Sequence, residues 1–130
     1  MTAAARAIGT RDRGAASLWA LAGAVVVLTV ALLVALRTSA VAARHRAAAA
    51  ADLAALAAAG GIGVVGTDQI CPRAQRIAGL DGARLTGCRT ELAADGRSGT
   101  VDVAVTVTVY LAGLGRRPVT ARARAGRLPA

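Results

Sequence analysis

From Ala15 to Leu36 the chain carries 22 residues without a charge, AASLWALAGAVVVLTVALLVAL. An α-helix rises about 1.5 Å per residue, so this run reaches ~33 Å, enough to cross a ~30 Å hydrocarbon core with slight tilt. No other feature limits the fold so strongly. The run predicts a transmembrane helix over 15–36 in contact with membrane lipid. It separates a basic leader, residues 1–14, from about ninety residues that follow. Trp19 lies close to one end, where an amphipathic indole favours the membrane–water interface.

The helix is not expected to stop at Leu36. The next segment, RTSAVAARHRAAAAADLAALAAA, has no Pro or Gly and is mostly Ala, the best helix former. Gly60 and Gly61 offer the first natural stop. One helix from about 16 to 59 is therefore expected, with 37–59 as an Ala-rich extension. Within it Ala49, Leu53, Leu56 and Ala57 form a thin apolar stripe at helical spacing. Such a stripe is expected to pack on the chain's own domain, or else against other helices. Residues 60–67, GGIGVVGT, read as a Gly-rich flexible linker. No GK[ST] follows them, so they do not form a phosphate loop.

Residues 68–130 predict a small α+β domain. DQICPRAQRIAGLDG reads as a short helix, with Asp68 as N-cap, Pro72 in the first turn and Gly79 or Gly82 as the stop. Its apolar face is Ile70, Ala74, Ile77 and Ala78. ARLTGCRTEL predicts a strand and AADGRSG a turn. TVDVAVTVTVYLAG is the clearest strand, with Val101, Val103, Val105, Val107 and Val109 on one face and Asp102, Thr106 and Thr108 on the other. After a turn at LGRRP, VTARARAG alternates again, with Val119, Ala121, Ala123 and Ala125 inward. The simplest assembly is a three-stranded antiparallel meander packed against helical surface.

The two cysteines, Cys71 and Cys88, fall on the short helix and on the first strand. A bond between them would staple helix to sheet and place the domain in an oxidising compartment. Two unpaired buried thiols are the alternative, since spacing alone does not prove a bond.

Composition excludes more than it selects. The net charge is +9 and every basic residue is Arg. The arginines are spread along the chain without an aromatic platform, which argues against nucleic acid as a partner. Arg6, Arg11, Arg13, Arg37, Arg44 and Arg46 flank the apolar run, where anionic headgroups account for them. His45 is the sole histidine and stands between two arginines. No set of catalytic residues or metal ligands assembles, so no enzyme, cofactor or metal site is expected. The charges flanking the run nearly balance, and it is the cysteines that favour a cytoplasmic N-terminus and an extracytoplasmic domain. Signal-peptide cleavage near Ala42 or Ala43, releasing a soluble module, is the competing expectation.

Arg11-Asp12-Arg13-Gly14 followed at once by Ala15-Ala16-Ser17-Leu18-Trp19 and the apolar run resembles the start of TadE-like proteins. RHRAAAAADLAALAAA at 44–59 is similar to their helix extension. The order of parts is most like the actinobacterial TadE-like proteins encoded near a helicase and a tight-adherence secretion cluster. The resemblance implies a pilin-like component of a Flp/Tad pilus or secretion apparatus, with other pilin-like subunits and a prepilin peptidase as partners. It further implies cleavage between Gly14 and Ala15. One position departs from the pattern: Trp19 stands where pilins carry Glu.

Overall fold

The computed structural model of the chain describes residues 12–111 and 113–129, with only the backbone of Asp12 and Arg13. The elements are helix α1 (Asp12–Ala59), helix α2 (Thr67–Leu80), and strands β1 (Arg84–Leu92), β2 (Gly99–Leu111) and β3 (Gly115–Arg127). This is the expected α+β architecture. Residues 1–11 of the basic leader, with Arg6 and Arg11, lie outside the described residues.

The chain divides into two compact units at Thr38–Ser39. The first holds the apolar part of α1. An 18-residue window of this helix reaches a mean hydropathy of 2.6, long and apolar enough to cross a membrane. Its large side chains are uncovered, with Leu28 at 69% and Leu32 at 61% exposed. The hydroxyls of Thr29 and Thr38 donate to the carbonyls of Val25 and Val34 one turn back, at 2.8 and 2.9 Å. In an apolar surrounding that bond satisfies a group otherwise costly to desolvate.

The second unit is built around the other half of α1. The three strands form one antiparallel sheet in the order β1-β2-β3. Its inner face is a row of matched pairs: Val101 opposite Ala125, Val103 opposite Ala123, Val105 opposite Ala121, Val107 opposite Val119. The strict alternation in β2 fixes this register, because a slip of one residue would turn every valine outward. α2 adds Ile70, Ala74 and Ala78 to the core, with Ile77 only half-buried.

The packing face of α1 differs from expectation. Ala47, Ala50, Ala51, Ala54, Ala55 and Ala58 are buried, whereas Leu53 and Leu56 are 49% and 63% exposed. The stripe of Ala49, Leu53, Leu56 and Ala57 does not face the domain core. Side chains of a single carbon let the helix backbone approach the valine row closely, and a leucine there would hold the two apart. The largest fully buried side chains are correspondingly modest: Ile62, Ile70, Val101 and Val105.

Of residues 60–67, read as a flexible linker, 60–66 form a tight turn and Thr67 opens α2. Gly60, Gly61 and Ile62 donate to Leu56, Ala58 and Ala59, and Val64 and Val65 both donate to Gly61. Ile62 is fully buried, and its carbonyl accepts a 2.6 Å bond from Arg127 at the end of β3. Gly63 takes φ +70°, a left-handed conformation that glycine adopts without steric cost. The turn is therefore part of the core, tied to the sheet.

Three smaller boundaries also shift. The N-cap of α2 is Gly66, without a side-chain bond, so Asp68 lies in the first turn and Pro72 one turn further in. Gly82, at φ +69°, ends the helix as the amide of Ala83 reaches back to Ala78. The last strand begins at Gly115, so Arg116, Arg117 and Pro118 of the expected turn pair with Tyr110, Val109 and Thr108. β3 is an edge strand, where a proline is tolerated.

Candidate functional site

Cys71 and Cys88 are joined in a disulfide with their Cα atoms 6.0 Å apart, closing a separation of 17 residues. Of the two cysteine states open to the sequence, this is the bonded one. A bulge sets the face on which Cys88 lies. Pairing along β1 runs Leu85 to Val105 and then Gly87 to Ala104, so Thr86 is an extra residue. Its hydroxyl donates to the carbonyl of Ala104 at 3.2 Å. The bulge places Leu85, Cys88 and Thr90 on one face although 85 and 88 differ in parity. With Thr86 paired in regular register, Cys88 would lie on the outer face, away from α2. The Thr90 hydroxyl lies 3.9 Å from the Cys71 sulfur, beside the bond.

The outer face of the sheet carries the charges. Asp102 on β2 accepts a 2.6 Å bond from Arg124 Nε on β3, directly opposite in register. Arg89 pairs with Asp102 from the other side, on β1. The Arg124 bond is the main influence holding the Asp102 carboxyl below the usual range. Desolvation opposes it, and the charges of Arg124 and Arg89 add to it. Arg124 is pushed up by the same partner. Oδ2 of Asp102 is covered and makes no hydrogen bond to another described residue.

Asp95 organises the β1–β2 turn. One oxygen, Oδ1, accepts from the amides of Arg97 and Ser98 and from the Ser98 hydroxyl, at 3.0, 3.1 and 3.0 Å. The amide bonds lower its pKa, Arg97 first. The segment AADGRSG is legible as a turn in the sequence, but the role of Asp95 within it is not. The nearest signal is Asp followed by Gly, a turn former because its side chain caps nearby amides.

His45 is exposed on α1. Among the described residues no group of three or more His, Cys, Asp or Glu comes together to hold a metal ion. Gly14 and Ala15 both lie, exposed, in the first turn of α1. A Cβ added at Gly14 would meet nothing within 4 Å, so packing does not demand a glycine there. At Gly63, by contrast, a Cβ would sit 3.1 Å from the Cα of Arg97.

The chain matches no protein-family model, no curated protein and no solved structure.

Proposed function

We propose that this chain is a non-enzymatic, membrane-anchored minor pilin- or pseudopilin-like component of a Tad/Flp-type pilus or secretion apparatus. Its N-terminus is cytoplasmic and its stapled domain extracytoplasmic. The observation that carries the reading is the continuity of α1 from Asp12 to Ala59. One helix supplies both an apolar span and the wall of the domain core, the division of labour a pilin-like subunit needs.

Three further observations support it. The disulfide fits an oxidising compartment and so supports an extracytoplasmic domain. Gly14 has no packing role, and glycine inside a helix costs about 1 kcal/mol relative to alanine, which leaves peptidase recognition as a reason for it. Leu53 and Leu56 stand exposed beside Ala49, an apolar surface suited to neighbouring helices of an assembly. The rival cleavage point, Ala42–Ala43, lies within the helix with Ala43 only 5% exposed, a poor protease substrate once folded. An anchored envelope scaffold that never joins a fibre has the same architecture and differs in processing.

The mass of the mature N-terminus tests the proposal. A start at Ala15 is expected. A start near Ala43 would eliminate the pilin-like reading in favour of a secreted module, and an intact Met1 would favour the scaffold. Labelling with an impermeant thiol reagent after reduction should modify Cys71 and Cys88 from outside the cell.

A further inference from the structure

The β2–β3 hairpin ends in a patch that the core does not use. Tyr110 is 77% exposed and Leu114 55%. Arg116 and Arg117 follow, both exposed, opposite Tyr110 and Val109 in register. Side chains alternate along a strand, so the two guanidinium groups lie on opposite faces of the ribbon.

The position of this tip within its unit is informative. Ser39, Ala42 and Arg46 of α1 line one groove with Val107–Leu111. At the opposite end Leu128 lies with Gly63, beyond the last turn of α1. The hairpin tip is therefore level with the start of the unit's helix. Ser39 follows Leu36, the last residue of the apolar run, by three residues, a reach of at most about 11 Å however the chain runs. The covalent chain therefore keeps the groove that the tip shares with Ser39 close to the headgroup layer at this end of the run, a layer about 5–8 Å thick.

We infer that the β2–β3 hairpin tip is a second membrane contact, in which Tyr110 and Leu114 enter the interface and Arg116 and Arg117 bind anionic lipid headgroups. The composition suits that layer. An amphipathic aromatic ring is favoured there, and each arginine near an anionic surface adds attraction. In water alone, a hairpin tip exposing Tyr and Leu ahead of two arginines is left uncovered by the described residues. The inference rests on the reading of 15–36 as the membrane anchor, and it commits to the lipid of the bilayer that this anchor crosses.

Tryptophan quenching by brominated lipid in vesicles of phosphatidylcholine and phosphatidylglycerol tests it on the full chain. Wild-type protein, with Trp19 as its single tryptophan, reports the anchor. Trp19→Phe combined with Leu114→Trp reports the tip, and Trp19→Phe with Leu128→Trp reports the far end. Tyr110→Trp in the Trp19→Phe background is a second reporter. Retention of the Cys71–Cys88 bond by mass identifies folded variants.

The tip reporters should lose emission by roughly twofold when the lipid is brominated near the top of its acyl chains, as for a side chain buried at the acyl boundary. The Leu128→Trp reporter should not change. Adding Arg116→Gln and Arg117→Gln, or omitting phosphatidylglycerol, should reduce tip quenching. Quenched Trp19 with a tip no more quenched than the far end would overturn the inference and leave the anchor standing. A tip shielded only at high protein concentration would assign it to a contact between copies and overturn it too. Unquenched Trp19 would remove the anchor reading, and the inference with it.

Discussion

Asp102 and Arg124 face each other across β2 and β3, with Arg124 Nε 2.6 Å from Asp102 Oδ1, and Arg89 pairs with the same aspartate from β1. One carboxylate thus bonds to an arginine on β3 and faces the charge of another on β1, all on the wet face of the sheet. Its pKa is lowered in the folded protein from an ordinary value of 3.8. A lowered pKa gives stability that is present above the unfolded value and lost as pH falls through the folded one. Thermal unfolding should show Asp102→Asn less stable than wild type at neutral pH, with the difference shrinking below about pH 4. A gap that persists unchanged into strong acid would show that the ion pair is not its source.

Asp95 obeys the same sign for a different reason, because its partners are backbone amides. Asp95→Ala should loosen the β1–β2 turn and speed amide exchange at Arg97 and Ser98, with Asp95→Asn milder because its carbonyl can still accept those bonds. Hydrogen exchange at these amides checks it. Equal protection in both variants and wild type would count against the turn depending on this side chain.

Reduction of the disulfide should be costly for so small a core. For a closed loop of this size the chain-entropy model gives about 3 kcal/mol. Cys71→Ser with Cys88→Ser should lower the denaturant midpoint accordingly. Reduced wild type should match the double variant, and a mismatch would implicate the substitutions themselves.

The alanine face of α1 makes an unusual demand, in that larger is worse. Ala54 is fully buried in the domain core, while its neighbour Leu53 is half exposed. Ala54→Leu should destabilise the domain by about 1–3 kcal/mol through overpacking. Leu53→Ala, away from that contact, should change it by roughly 0.5 kcal/mol or less. Denaturant midpoints of the two variants decide it, and the opposite ranking would reverse the assignment of faces.

The turn between the helices gives a companion measurement. Gly63 holds φ +70° with Arg97 close by, and Ile62 beside it is fully buried. Ile62→Ala should cost about 2–5 kcal/mol as a core truncation. Gly63→Ala should also destabilise, since it adds a side chain where both backbone angle and space oppose it. A neutral Gly63→Ala would mean that the turn relaxes freely.

The sheet was readable because its signal has two independent parts. Val101, Val103 and Val105 alternate with polar residues, and Ala121, Ala123 and Ala125 repeat the pattern with arginines between. The face of α1 was not readable, because alanines occur on every side of that helix and carry no phase. Leu53 and Leu56 supplied the one visible phase, and it pointed outward. The 60–66 segment misled for a related reason. Glycine content signals freedom in an isolated chain, but here it allows a close turn anchored by a single buried isoleucine. The disulfide partners were visible, yet the means of their meeting was not. The bulge at Thr86 has no compositional signature and follows only from the pairing of β1 with β2.

That bulge sets which kinds of change the head tolerates. Cys88 shares a face with Leu85 because the odd residue, Thr86, is left out of the pairing of β1. Replacing Thr86 with another residue leaves the count intact. Deleting Thr86 would restore regular pairing with Cys88 still opposite Val103, so the thiol would keep facing Cys71 and Arg89 would stay outward. The bulge is thus spare length in β1, and the staple tolerates both its substitution and its loss.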